Sequence, residues 1–226
     1  MAATGGFPSR TGISRGDGVR LTDIKGLIFD YGGVLWDMRW DLARTLEQEH
    51  GLRARTIVET LYGSETWQKL EVGVGDRQAW LDDSHRALEV AAGRSLPRLH
   101  QHWRERQHLI APNIDLIRRL RPKYKTAVLS NADSTLKRAL RESHGIADLF
   151  DDIVVSADVG MAKPDAQIYA LSAQRLELTP GECVFIDDMP RNVEGAQSAG
   201  MRGIHFLVNE HDLEAQLADL GVVVRT

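Results

Sequence analysis

Five short apolar runs mark the chain: KGLIFD (25–30), KTAVLS (125–130), DIVVS (152–156), CVFID (183–187) and GIHFLV (203–208). Each is too short for a helix and is bounded by turn-forming or charged residues, which predicts buried strands. Between them, apolar residues recur at helical spacing. Asn113 is placed to cap a helix carrying Ile114, Ile117 and Leu120 on one face. Ser134 is placed to cap another with Leu136 and Leu140, closed by Gly145. Pro164 falls in the first turn of a third helix with Ile168, Leu171 and Leu176, and Asp165 sits in that same turn. Pro190 opens a fourth, with Val193 and Ala196, that Gly200 closes. Strands alternating with helices predict an α/β fold, a Rossmann-like parallel sheet with helices on both faces.

Residues 39–112 break that rhythm. They favour helix and contain no convincing strand, and the sheet pattern resumes after Pro112. An all-helical cap domain is expected there, inserted into an α/β core domain made of residues 21–38 and 113–226. All five tryptophans fall between Trp36 and Trp103, four of them (Trp40, Trp67, Trp80 and Trp103) inside the insertion, where aromatic residues are expected to build the small unit's own core. The stretch RLHQHWRERQH (98–108) reads as the solvated face of a helix with one buried aromatic. Residues 1–20 are rich in Gly, Ser and Arg without apolar periodicity, so a flexible N-terminal extension is expected.

Composition narrows the classes of function. The 226 residues are 42% apolar and 27% charged, which argues against disorder. A net charge of −4 gives no support to a binder of nucleic acid or anionic membrane, and no apolar run approaches the roughly 18 residues of a membrane span. The single cysteine, Cys183, excludes an internal disulfide framework and reads as a small buried side chain. Residues 1–20 lack the apolar run of a signal peptide, and a cytoplasmic protein is expected.

The candidate chemistry lies at the strand ends, where open parallel sheets bind ligands. The first strand ends at Asp30, the second at Ser130 and Asn131, and the fourth at Asp187 and Asp188; Lys163 follows the third. These groups supply carboxylates for a hard cation or for nucleophilic attack, and a hydroxyl and an ammonium suited to a phosphoryl group. Asp133, beside the second strand end, reads as a cap for the helix that follows.

FDYGGVL (29–35), VLSNAD (128–133), AKPDAQIY (162–169) and FIDDMPRNVEGAQSAG (185–200) resemble, in order, the four motifs of the haloacid dehalogenase superfamily of hydrolases. The resemblance covers roughly residues 24–38 and 112–208, and the insertion lies where that family carries a helical cap. It implies a Mg²⁺-dependent phosphatase of a small phosphorylated metabolite. Asp30 would attack phosphorus, and Asp30, Asp188 and the backbone carbonyl of Gly32 would hold Mg²⁺. Ser130 and Asn131 would bind phosphoryl oxygens, and Lys163 would balance charge. Asp187 would support the metal through its waters or orient Lys163.

One position departs from the family pattern. Its phosphatases usually carry a second aspartate two residues after the nucleophile, as acid and base, and here that position is Gly32. Glycine keeps a backbone contact to metal but loses the proton-transferring side chain, which is typically worth about 10² to 10⁴ in rate. Three readings follow: a phosphatase that is slow or borrows its acid, with Asp37 and a cap histidine as candidates; a metal-independent 2-haloacid dehalogenase; or a non-catalytic metabolite-binding module.

Overall fold

Every one of the five apolar runs forms a strand, and all five lie parallel in one sheet. The computed structural model describes residues 23–224, so the expected N-terminal extension (1–20) lies outside the described residues. Along the chain, β1 (Gly26–Phe29) and a two-residue strand β2 (Trp36–Asp37) precede five helices: α1 (Trp40–Glu49), α2 (Thr56–Tyr62), α3 (Glu65–Leu70), α4 (Arg77–Ala92) and α5 (Leu99–Arg104). Then come β3 (His108–Leu109), α6 (Ala111–Leu120), β4 (Lys125–Ser130), α7 (Leu136–Arg138), β5 (Asp152–Val155), α8 (Ser156–Val159) and α9 (Ala166–Arg175). The chain continues through β6 (Cys183–Asp187), α10 (Pro190–Ser198), β7 (Arg202–His205) and α11 (Leu213–Asp219). The sheet order is β5-β4-β1-β6-β7.

Strand alternation sends side chains to two separate cores. Leu27 and Phe29 of β1 join Val184 and Ile186 of β6 beneath α6 and α11. Ile28, Cys183 and Phe185 face the other way, against Ile168, Tyr169 and Ala173 of α9 and Ala196 of α10. Helices therefore cover both faces, and Cys183 is the small buried side chain its position predicted.

Several local expectations need correction. Asn113 is not a cap: α6 starts two residues earlier, and the Asn113 side chain donates to the Val34 carbonyl at 2.7 Å, tying the helix to the loop after β1. Ser134 does not cap α7. Nor does Asp133: the N-cap is Thr135, without a side-chain cap bond, and Asp133 Oδ1 accepts from the Thr135 N–H (2.9 Å) and hydroxyl (2.5 Å) in the turn ahead of the helix, which passes into a π-turn over Ala139–Ser143. Pro164 precedes α9 rather than opening it, and the N-cap is Asp165, which accepts from the Gln167 N–H at 2.9 Å. The last strand stops at His205 instead of reaching Val208.

Between β1 and α6 the helices α1 to α5 enclose a third core of Leu46, Ile57, Leu61, Trp67, Trp80, Leu88 and Trp103. Aromatic rings dominate it: Trp67 and Trp80 lie 5.0 Å apart by ring centroid, and Trp40 lies 5.2 Å from Trp103. The segment is not free of strand, since β3 pairs antiparallel with β2 and closes its base. The 98–108 stretch is only partly a helix, and it buries His100 as well as Trp103. Among the described residues no helix is long and apolar enough to cross a membrane.

Candidate active site

Sheet register assembles the site. Phe29 lies level with Ile186, and the Asp30 N–H donates to the Ile186 carbonyl at 2.8 Å, so Asp30 and Asp187 emerge side by side where β1 and β6 end. Between them sits the Lys163 ammonium, 2.9 Å from Asp30 Oδ1 and 2.6 Å from Asp187 Oδ2, with its side chain only 1% exposed. Burial works against that charge, yet the two carboxylates outweigh it and hold the Lys163 pKa above its ordinary value. Asp187 spends both oxygens on structure: Oδ1 accepts from the Met189 N–H at 2.8 Å, and the Asn192 amide reaches both oxygens at 3.1 Å. It is thereby fixed as the group that aims Lys163.

Asp188 turns the other way from Asp187 and closes a carboxylate triad, with one oxygen each from Asp30, Asp187 and Asp188 lying within 4.8 Å of one another. Gly33 makes room for it: a Cβ there would stand 2.3 Å from Asp188 Oδ2, and the backbone has φ +79°. Three carboxylates against one ammonium leave excess negative charge in a buried place. Burial, then Lys163 pulling down and Asp187 pushing up, set the Asp30 pKa at about 6. Burial and the neighbouring Asp30 and Asp187 push Asp188 up to about 8. A carboxyl that holds its proton so strongly, among other oxygen donors, is what a hard divalent cation would displace and replace. The donor set fits Mg²⁺.

Ser130, buried at the end of β4, and Asn131 lie on the floor of the same cavity as Asp30, Gly32, Lys163 and Asp188. Asn131 is fully committed: its side-chain oxygen accepts the Lys163 N–H at 2.8 Å, and its NH₂ donates to the Lys163 carbonyl (3.0 Å) and to Glu71 Oε2 (3.2 Å). All seven predicted site residues therefore converge on one strand edge, Asp187 from behind. Asp37 does not join them. It accepts from the Arg39 N–H at 2.8 Å and lies 3.9 Å from His108.

The cavity, about 1090 Å³, extends from this floor to the helices above; Trp36 of β2 lines it, with Trp40, Tyr62 and Arg104 of the helices. Sequence reasoning missed four groups here. Tyr31 stacks on Trp36 (5.7 Å, 18°), and its hydroxyl shares a hydrogen bond with His144 Nε2 at 3.1 Å, forming an aromatic wall beside Asp30. Glu71, at the end of α3, reaches down to Asn131. The spacing EVGVG (71–75) was the available signal: Gly73 has φ +82°, and a Cβ on it would stand 2.2 Å from the Ala157 carbonyl, so this loop is pressed against the sheet domain.

The chain is similar to known proteins over most of its length. The chain is 30% identical over 191 residues to the sesquiterpene phosphatase astK of Aspergillus oryzae, covering 82% of this chain and 91% of that protein. It is 28% identical over 192 residues to the fructose-1-phosphate phosphatase YqaB of Escherichia coli, covering 79% and 94%. Its fold matches a HAD-family enzyme of Bacteroides thetaiotaomicron solved with magnesium and inorganic phosphate, at TM-score 0.62 and 21% identity over 85% of this chain and 98% of that one. Residues 24–200 match the model of the haloacid dehalogenase-like hydrolases, and the chain belongs to that family.

Proposed function

We propose that this hydrolase is a Mg²⁺-dependent phosphatase that removes phosphate from a small metabolite through an aspartyl-phosphate on Asp30, with residues 39–112 acting as its cap. The observation that carries the reading is the buried Lys163, bonded at once to Asp30 and Asp187, with Asp188 closing an anionic triad. The two phosphatases named above support it.

Asp30 attacks phosphorus with the oxygen not engaged by Lys163. The ammonium neutralises charge that builds on the transferring group, and Asp187 keeps it aimed. The Ser130 hydroxyl holds a phosphoryl oxygen; because the Asn131 side chain is spent on Lys163 and Glu71, its part falls to its backbone N–H. Mg²⁺, held by Asp30, Asp188 and the Gly32 carbonyl, would offset the negative charge that otherwise repels a phosphate from a carboxylate. A cytoplasmic setting and a substrate other than nucleic acid belong to the same reading.

The test is hydrolysis of an aryl phosphate with and without Mg²⁺, by the parent and by Asp30→Asn. Mg²⁺-dependent turnover is expected, with a loss of at least about 10³-fold in Asp30→Asn because the nucleophile is gone. Activity indifferent to Mg²⁺, or retained in Asp30→Asn, overturns the mechanism. The bare Gly32 favours a second reading, a binding module, which would give saturable metabolite binding without turnover. Halide release from a 2-haloacid without metal would mark a dehalogenase, against which the uncompensated charge of the triad argues.

A further inference from the structure

With glycine at position 32, the position two residues after Asp30 carries no side chain to protonate a departing alkoxide. In-line displacement puts the leaving oxygen on the side of phosphorus away from Asp30, toward the cavity and the helices above it. Among the described residues, two side-chain hydrogen bonds cross from those helices to the loop after β4: Asn131 Nδ2 to Glu71 Oε2 (3.2 Å), and Arg77 Nε to Asp133 Oδ2 (3.1 Å). The first ends on a carboxylate, and it touches the residue that clamps the Lys163 backbone on both sides. Gly73, pressed on the Ala157 carbonyl, holds the loop beyond Glu71 at that height.

We propose that Glu71 is the general acid–base of this active site, supplying from the helical segment the carboxyl that Gly32 lacks. The proposal rests on the phosphatase reading above. As Asp30 forms its bond to phosphorus and the ester P–O bond breaks, the Glu71 carboxyl passes its proton to the leaving oxygen. The Glu71 carboxylate then takes a proton from water, whose oxygen bonds to phosphorus as the P–O bond to Asp30 breaks; Glu71 ends protonated and Asp30 free.

The surroundings suit the task. Burial raises the Glu71 pKa above its ordinary value, although hydrogen bonds from Asn131 and Trp67 and the charges of Arg191 and Lys163 pull against it; a raised carboxyl is what a general acid needs. The other candidates fit less well. Burial pushes Asp133 up, but Thr135 and Arg77 outweigh it and hold its carboxyl below the usual range. His144 is engaged by Tyr31, and burial lowers its pKa. Asp37 faces Arg39.

The test uses the full chain with Mg²⁺ and two esters, p-nitrophenyl phosphate with a good leaving group and β-glycerophosphate with a poor one. In Glu71→Gln, whose amide oxygen can keep the bond from Asn131, kcat on the alkyl ester is expected to fall about 10²-fold, and by at least tenfold more than on the aryl ester. Gly32→Asp is sterically allowed: Gly32 is not among the positive-φ glycines, and a Cβ there meets only the flexible Met38 side chain, at 3.3 Å from its Sδ. Added to Glu71→Gln it is expected to restore alkyl turnover at least tenfold, and by much more than it adds to the parent, because two carboxyls doing one job are not additive. Equal loss on both esters, no loss on either, additive effects of the two substitutions, or a parent that turns over the aryl but not the alkyl ester overturns the role of Glu71. A parent without Mg²⁺-dependent aryl hydrolysis instead overturns the phosphatase reading, and this proposal with it.

Discussion

The strand edge and the helical segment above it are built on opposite principles. At the edge, hydrogen-bonded register sets position: Asp30 and Asp187 stand on adjacent strands, and Lys163 is locked between them with nearly no exposure. The helical segment instead holds its own apolar core, dominated by Trp67, Trp80 and Trp103, and reaches the sheet domain through two side-chain hydrogen bonds to the loop after β4 and the close approach of Gly73 to Ala157 of α8. The edge depends on one cation, because without the Lys163 ammonium Asp30 and Asp187 would be buried with no positive partner.

The sharpest way to break the comparison is Lys163→Met. Without the ammonium, three carboxylates face one another, and stability in the absence of Mg²⁺ is expected to fall by about 3–5 kcal/mol, read from urea unfolding. Turnover is expected to drop by at least about 10²-fold as well. A variant of parental stability would mean that the edge is not held by this charge network.

A second prediction addresses the interior of the helices. His100 is buried, with Nε2 3.1 Å from the Thr60 hydroxyl. Burial lowers its pKa to about 4, a backbone hydrogen bond at Ile57 works against this, and His85 and Arg104 add to it. A depressed folded-state value means that the unfolded chain takes up the proton first, near pH 6.5. This contribution is therefore complete above pH 6.5 and lost as pH falls toward 4, by about 3 kcal/mol at most. Urea midpoints between pH 7 and 4 should show that slope, and His100→Gln should flatten it; an unchanged slope would remove His100 as its source.

The smallest effect is expected at the tie between the two regions. Arg77 pairs with Asp133 at 3.1 Å, but its side chain is 42% exposed, so Arg77→Ala should cost less than about 0.5 kcal/mol in thermal unfolding. A larger loss would show that the helices depend on the sheet domain for their stability.

Much of the site was legible because its residues sit at the ends of apolar runs. A strand that ends in Asp or Ser delivers that group to the sheet edge whatever follows, so Asp30, Ser130, Asp187 and Asp188 could be read before any geometry. The helix starts were read less well. Asn113, Ser134 and Pro164 are all acceptable cap or first-turn residues, but α6 starts ahead of Asn113, α7 starts beyond Ser134 with Thr135 as its N-cap, and Asp165 outcompetes Pro164.

By itself, then, the sequence determined the α/β core, the helical interruption and the groups at the strand ends, because local periodicity dictates which face each residue takes. Only the tertiary structure decided that Asp187 spends its oxygens on Lys163, Met189 and Asn192, and that Tyr31, Trp36 and His144 line up beside the nucleophile. It alone brings Glu71 to Asn131, 60 residues away along the chain. Such meetings depend on how separately folded elements pack, and no short-range pattern of apolar and polar residues encodes that distance.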